Sequence, residues 1–291
     1  MADDGPFGPV VNGTQIVFYQ YRPNKGGAYT FIVLFGLATL GHLVYLFRLR
    51  AWYFIPFILG GIGEAFGYYG RAWSSDEPDL AGPFILQNIL ILGSAPLLAA
   101  SVYMSFGRII VSLGAQKYAL ISPRWVTKLY VLIDIGAWVS QVFGSVIPAS
   151  GDPSSIDLGR KVVLGGLITQ LAALGFFLLG VWYIWHRVKR VSLMVLASDP
   201  GLNWENHFRA VGVITLAMMV RSVVRMVEYL QGSDGTIVTH EIFLYALDAA
   251  IMFLIMLVYI VIHPGRLIRD ARRITKDTYL LSEGPVMLPS R

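Results

Sequence analysis

The sequence predicts an all-α integral membrane protein, a seven-transmembrane helix bundle with an external N-terminus and a cytoplasmic C-terminus. Three observations carry this expectation. Hydrophobic residues make up 55% of the 291-residue chain, charged residues only 14%, and mean hydropathy is +0.60. A soluble domain carries roughly 25% charged residues. Seven runs also approach the ~20 apolar residues that cross a bilayer, and the cations fall unevenly between the two sides those runs define.

Residues 1–27 form an external tail. It starts acidic and lacks a basic stretch followed by an apolar run, so it does not read as a cleavable signal peptide. Asn12-Gly13-Thr14 is the only N-x-[ST] sequon in the chain, which makes Asn12 a glycosylation candidate on the external side. The spans are expected at residues 28–47, 52–70, 84–110, 126–147, 162–185, 208–230 and 242–262. The third contains Pro96, which frees a carbonyl and can kink the helix. By hydropathy the sixth is the weakest, because it carries Arg209, Arg221, Arg225 and Glu228. Without it both termini would share one side.

Charge bias decides for seven. Fifteen Lys and Arg residues fall in the segments assigned to the cytoplasm, five in the external segments and three in the sixth span. That excess is the positive-inside pattern. The membrane domain is thus 28–265, followed by a basic cytoplasmic tail, 266–291. Arg266, Arg269, Arg272, Arg273 and Lys276 of the tail read as a stop-transfer signal and an anchor to anionic membrane lipids. One short basic tail does not make a nucleic-acid site, and none is expected. The longest loop, 186–207, leaves no room for a second domain, and no internal repeat is evident.

The last two spans hold charges where a bilayer disfavours them. Arg221, Arg225 and Glu228 share one helical face by their spacing of four and three, and Asp248 lies in the seventh span. An ionisable group at mid-membrane costs from about 2.5 to more than 10 kcal/mol depending on the method of estimation. Such groups therefore pair and face the bundle interior. A rise of about 1.5 Å per residue puts Arg225 roughly 9 Å and Arg221 roughly 15 Å below the external end of span six. It puts Asp248 roughly 10–12 Å down span seven and Glu64 roughly 10 Å down span two. Gln87, Asn88, Gln141, Gln170 and Tyr245 occupy the same layer in the outer half of the bilayer.

Two readings of that layer stand side by side. One is the floor of a cavity that binds a ligand. The other is a polar zipper that only joins the helices, although hydrogen bonds between membrane helices average only about 0.6 kcal/mol. Two arginines face three carboxylates, so one carboxyl is left without a protein cation. Glu64 is the candidate, because the glycines of GGIGEAFG around it allow close helix approach and leave space beside it. Asp134 and three histidines, His42, His186 and His263, lie toward the cytoplasmic face. They show no HxxxH or HExxH spacing, so no metal site is expected. His263-Pro264-Gly265 reads as a helix stop. The chain has no Cys, which excludes disulfides and thiolate chemistry, and no GxxxxGK[ST] for ATP hydrolysis. No cofactor is expected.

These residues resemble the fungal lipid-translocating exporter family, the resistance-to-aminocholesterol-like seven-transmembrane proteins. The likeness runs from Tyr21-Arg22-Pro23 to His263-Pro264-Gly265. Its most specific stretch is RSVVRMVEYLQGSDGTIVTHEIFLYALDAAIM at 221–252. WYFIPFILGGIGEAFGYYGR at 52–71, SVYMSFGRII at 101–110, and Asp134 with Gln141 and Gly144 extend it. Ala137 stands where the family pattern often has Ser. The resemblance implies a non-enzymatic, multi-pass protein of a fungal plasma membrane or internal membrane. It further implies export of amphiphilic lipids such as sphingoid long-chain bases, resistance to amphiphilic toxins, or porphyrin transport. The leading expectation is a translocase without its own ATPase, with Glu64 and Asp248 meeting a ligand amine and Arg221, Arg225 and Glu228 organising the site. A lipid sensor or receptor-like regulator is the alternative, and an intramembrane lipid hydrolase a third. Oligomeric state is left open.

Overall fold

A long apolar segment in a bilayer must satisfy its own backbone, and the helix does so without a partner strand. The computed structural model of the chain follows this rule. It describes residues 6–11, 14–15, 17–119, 122–146, 153–191, 193–199, 201–232 and 235–282. The glycan candidate Asn12 lies outside them. A two-residue ladder, β1 (Val10–Val11) with β2 (Thr14–Gln15), precedes the helices. Helices α1 (Lys25–Arg48), α2 (Ile55–Asp76), α3 (Ala81–Ser112), α4 (Pro123–Val146) and α5 (Pro153–Arg190) follow in order. After a short α6 (Met194–Ser198) come α7 (Trp204–Gln231), α8 (Thr236–Thr239) and α9 (Glu241–Leu244). A π-helical turn at Tyr245–Ala249 then joins α9 to α10 (Ala250–Val261), and α11 (Pro264–Ser282) ends the described chain.

Local chemistry sets the boundaries. The Asn24 side chain accepts from the Gly27 N–H at 3.0 Å and caps α1, as a short polar side chain at an N-terminus does. Pro56 sits in the first turn of α2, where its missing N–H costs no hydrogen bond. Gly232, at φ 76°, closes α7 in a conformation that glycine adopts without a Cβ clash. Pro264 opens α11, and His263 Nδ1 accepts from the Gly265 N–H at 3.0 Å. The HPG stop is therefore both an end and a cap. α3 continues through Pro96 without interruption.

Among the described residues, six segments are long and apolar enough to cross a membrane: Lys25–Arg48, Ala81–Ser112, Trp125–Gly144, Asp157–Arg190, Trp204–Gln231 and Glu241–Thr278. The charged segment expected to be weakest, 208–230, is inside one of them. The segment that falls short is α2, whose glycines, Glu64 and Arg71 dilute its hydropathy. Lipid-facing surface is plain elsewhere: Val33, Leu37, Leu40, Val44 and Phe47 form an exposed apolar face of α1. Such a continuous face marks a surface that water does not cover.

The helices pack in chain order, α1 on α2, α2 on α3, α3 on α4, α4 on α5 and α5 on α7, and α10 closes the ring against α1 and α7. The tightest contact is made by glycines. A Cβ at Gly60 would meet Leu98 at 2.0 Å, one at Gly63 the Ser94 hydroxyl at 2.5 Å, and one at Gly67 Ile91 at 2.6 Å. At Gly70 it would meet the backbone of α3, Gln87 N at 3.0 Å and Pro83 O at 3.1 Å. This corrects the expectation that the glycines leave space beside Glu64. They are consumed by α3, and on the other side a Cβ at Gly61 would strike Thr39 at 2.3 Å. Gly70→Ala is expected to destabilise the protein by about 1–3 kcal/mol, the usual cost of overpacking, because backbone cannot move aside. Gly36→Ala, whose Cβ meets nothing, serves as the neutral control in thermal denaturation in detergent.

Candidate functional site

The arginine pair of α7 meets the π-helical turn. Asp248 sits in that turn with 4% of its surface exposed, and each of its oxygens takes one arginine. Arg221 Nε donates to Oδ1 and Arg225 Nη2 donates to Oδ2 at 2.6 Å. Arg225 Nη1 also donates to Glu228 at 3.0 and 3.3 Å. π-Helical turns are rare and concentrate at functional sites. Here the turn adds a residue to the repeat and aims the carboxylate between two guanidinium groups. Arg225 Nε has no partner among the described residues.

A cavity of about 240 Å³ opens beside this cluster. Arg221, Arg225, Glu228 and Asp248 line it from one side, Gln87 and Asn88 of α3 from the other. Four residues of the N-terminal segment, Phe18 to Tyr21, cover it. Phe18 stacks on Phe84 with centroids 4.4 Å apart, and the Tyr19 hydroxyl reaches Gln87 Oε1 at 3.1 Å and Ser74 Oγ at 2.9 Å. The Asn88 amide donates to the Phe84 carbonyl at 2.9 Å.

Sequence reasoning missed what holds this cover down. Arg71, at the outer end of α2, is only 2% exposed. Its Nη2 donates to Glu241 at 2.7 Å and to the Tyr21 hydroxyl at 3.1 Å, and its Nε donates to the Tyr245 hydroxyl at 3.2 Å. Three tyrosine rings, Tyr19, Tyr21 and Tyr245, surround the guanidinium at 5.5–5.9 Å, close enough for cation–π attraction. Glu241 also accepts from the Asn24 N–H at 2.8 Å. One arginine thus ties the tail, α2 and the start of the last span together. Burial pushes the Tyr21 phenol above its ordinary value, so it stays a neutral acceptor for Arg71 at physiological pH.

The other expected residues separate from the cavity. Glu64 is fully buried within electrostatic range of Asp248, Arg221 and Arg225, but it does not line the cavity. Neither of its carboxyl oxygens has a hydrogen-bond partner among the described residues. Among the described residues it forms no ion pair. Gln141 and Gln170 are off the cavity wall as well, and Tyr245 belongs to the Arg71 cluster. Gln170 faces Asp134, which accepts from the Tyr103 hydroxyl at 2.8 Å. The layer is therefore divided among separate polar centres: the Asp248 cluster, the Arg71 cluster and the Asp134–Gln170 pair. Depth places residues along a helix, but not around it.

Toward the opposite end, His42 Nε2 lies 3.0 Å from the Met256 carbonyl, and the His42 and His263 rings are 6.1 Å apart. Among the described residues no three His, Asp or Glu side chains gather as a metal would require.

The family model described as RTA1 like protein matches residues 57–271, a stretch that runs from α2 into α11. The chain is similar to Protoporphyrin uptake protein 1 of Saccharomyces cerevisiae, with 31% identity over 84% of this chain and 90% of the relative. It is also similar to Protein RTA1 of that yeast, with 31% identity over 84% of each chain. Sphingoid long-chain base transporter RSB1, again from Saccharomyces cerevisiae, is 28% identical over 84% of this chain and 72% of the relative. No solved structure matches the chain significantly. With its multiple apolar helices and a match over most of its length, this multi-pass membrane protein belongs to the RTA1-like family.

Proposed function

We propose that the chain is a seven-span transporter of amphiphilic lipids with a cationic head, of the sphingoid long-chain base class, and not an enzyme. The observation that carries this reading is the covered cavity with a charged wall. Asp248 is occupied by two arginines, so the carboxylate that faces an incoming amine is Glu228, which is 27% exposed in its side chain and holds one arginine. The amides of Gln87 and Asn88, on the opposite wall, offer hydrogen bonds to hydroxyls on the same head group. An amine flanked by hydroxyls matches that set of donors and acceptors, and the name of one relative, a sphingoid long-chain base transporter, agrees with it.

In this reading α2, span two of the chain, brings the six segments to seven. Its 22 residues reach about 33 Å at 1.5 Å per residue, enough for a hydrocarbon core despite its diluted hydropathy. The charge bias supports an external N-terminus and a cytoplasmic C-terminus, and the family resemblance supports the plasma membrane. The chain carries no P-loop, so in this reading an existing gradient or protonation of a carboxylate drives the lipid across.

Reconstitution in vesicles with a fluorescent long-chain base tests the proposal. Wild-type protein is expected to accelerate transbilayer movement, and Glu228→Gln to slow it on the order of tenfold, the equivalent of about 1.4 kcal/mol, without loss of thermal stability. An unchanged rate in Glu228→Gln removes the site assignment. Binding of the base without flux would favour the lipid-sensor reading instead.

A further inference from the structure

A second site lies at the opposite end of the bundle, away from the arginine cluster. The C-terminal half of α3, the start of α4 and the amphipathic helix α11 enclose an open groove of about 720 Å³. Arg108, Lys128, Arg272 and Lys276 line it, with the hydroxyls of Thr127 and Thr275 between them. Among the described residues no carboxylate lies on its wall. None of the four cations has a carboxylate partner within ion-pair distance among the described residues, whereas the neighbouring Arg269 and Arg273 pair with Asp270 and Asp277 on α11 itself. Leu267, Ile268 and Ala271 bury the other face of α11, which fixes Arg272 and Lys276 over the groove. Arg108 is further held 4.6 Å above the Tyr53 ring.

An apolar chamber borders the groove, with Gly107 on the wall of both. This cavity of about 370 Å³ lies between α3, α4 and α5, walled by Tyr103, Phe106, Tyr130 and Phe177, with the exposed Phe176 at its rim. A cationic groove beside an aromatic-lined chamber is complementary to an anionic head carrying an acyl chain. Burying a chain in such a chamber is favourable in proportion to the apolar area covered, and cations between membrane helices recognise phosphate head groups.

We propose that this groove and chamber form a binding site for an anionic phospholipid, its phosphate held by Arg108, Lys128, Arg272 and Lys276 and one acyl chain lying between α3, α4 and α5. The basic tail is then not only a diffuse anchor. Two of its cations line this groove, and Arg266, Arg269 and Arg273 do not. The site is independent of the outer cavity and of what that cavity carries.

The test uses the full chain, delipidated in a neutral detergent and titrated with dioleoyl phosphatidylserine, dioleoyl phosphatidylcholine, dihexanoyl phosphatidylserine or inorganic phosphate. Dioleoyl phosphatidylserine is expected to bind at least tenfold more tightly than each of the other three. Arg272→Gln with Lys276→Gln is expected to weaken it on the order of tenfold, while Arg269→Gln with Arg273→Gln changes it less than twofold. Gly180 lines the chamber, and a Cβ there meets nothing within 4 Å, so the side chain of Gly180→Leu starts in open space and takes up chamber volume. It is expected to weaken the dioleoyl lipid and leave the dihexanoyl lipid unchanged. Equal losses in the two charge pairs would return the tail to a diffuse anchor and overturn the site. So would phosphate binding as tightly as the lipid, or a Gly180→Leu protein that binds the dioleoyl lipid normally.

Discussion

Asp248→Asn is expected to destabilise the protein by about 3–5 kcal/mol, the cost of removing one partner from a buried ion cluster. The substitution keeps the shape and removes the charge. Arg221 and Arg225 would then face each other across a neutral amide, in a site where both are less than 10% exposed. Glu228 can still hold Arg225, so the penalty falls mainly on Arg221. Its remaining contact is the Ile91 carbonyl at 3.5 Å, too long to compensate a charge. A second substitution separates repulsion from loss of contact. Arg221→Met in the Asp248→Asn background removes the uncompensated cation, and it should recover part of the lost stability, because replacing a whole buried pair is often neutral. Thermal denaturation of wild type, Asp248→Asn, Arg221→Met and the double variant in one detergent gives the cycle. An Asn variant within 1 kcal/mol of wild type would mean that water already solvates the cluster.

How much of this was legible in sequence depends on the coordinate in question. Position along a helix was legible. The spacing of Arg221, Arg225 and Glu228 put them on one face, and counting depth put Asp248 level with the two arginines, which it joins. Position around a helix was not. Gln141 and Gln170 share that depth yet turn elsewhere, because no period in α4 or α5 distinguishes a face toward α3 from a face toward α7. The glycines of α2 were legible as packing residues, but which neighbour fills them is a tertiary fact. Helix length misled at α5, which extends from Pro153 to Arg190, well beyond the apolar run at 162–185. Polar residues continue a helix once it has left the membrane. The π-helical turn has no signal in YALDA, since its cause is the packing of Asp248 against α7.

Arg71 shows the same limit and carries the second large expectation. At the end of a span it reads as an interfacial cation, and nothing in its neighbourhood points to Glu241, which is 170 residues away. Arg71→Met is expected to cost about 2–4 kcal/mol, since it strips a charge-assisted pair and a set of phenol hydrogen bonds from a site that is nearly closed to water. The figure stays below that for Asp248 because the Glu241 side chain is 18% exposed, and water can take it over in part. The local effect should exceed the global one. Tyr21 and Tyr245 lose their common donor, so the segment from Phe18 to Tyr21 keeps its backbone pairing with Phe7, the Phe84 stack and the Tyr19 hydroxyl but loses its tie to α2 through Arg71. Hydrogen exchange at the backbone amides of 17–24 should accelerate by at least an order of magnitude, while the amides of α3 stay protected. Arg71→Lys retains the charge without the fork that reaches three acceptors, so it should hold Glu241 and still loosen the tail. If exchange at 17–24 is unchanged in both variants, the cover over the cavity is held by aromatic packing and not by the arginine.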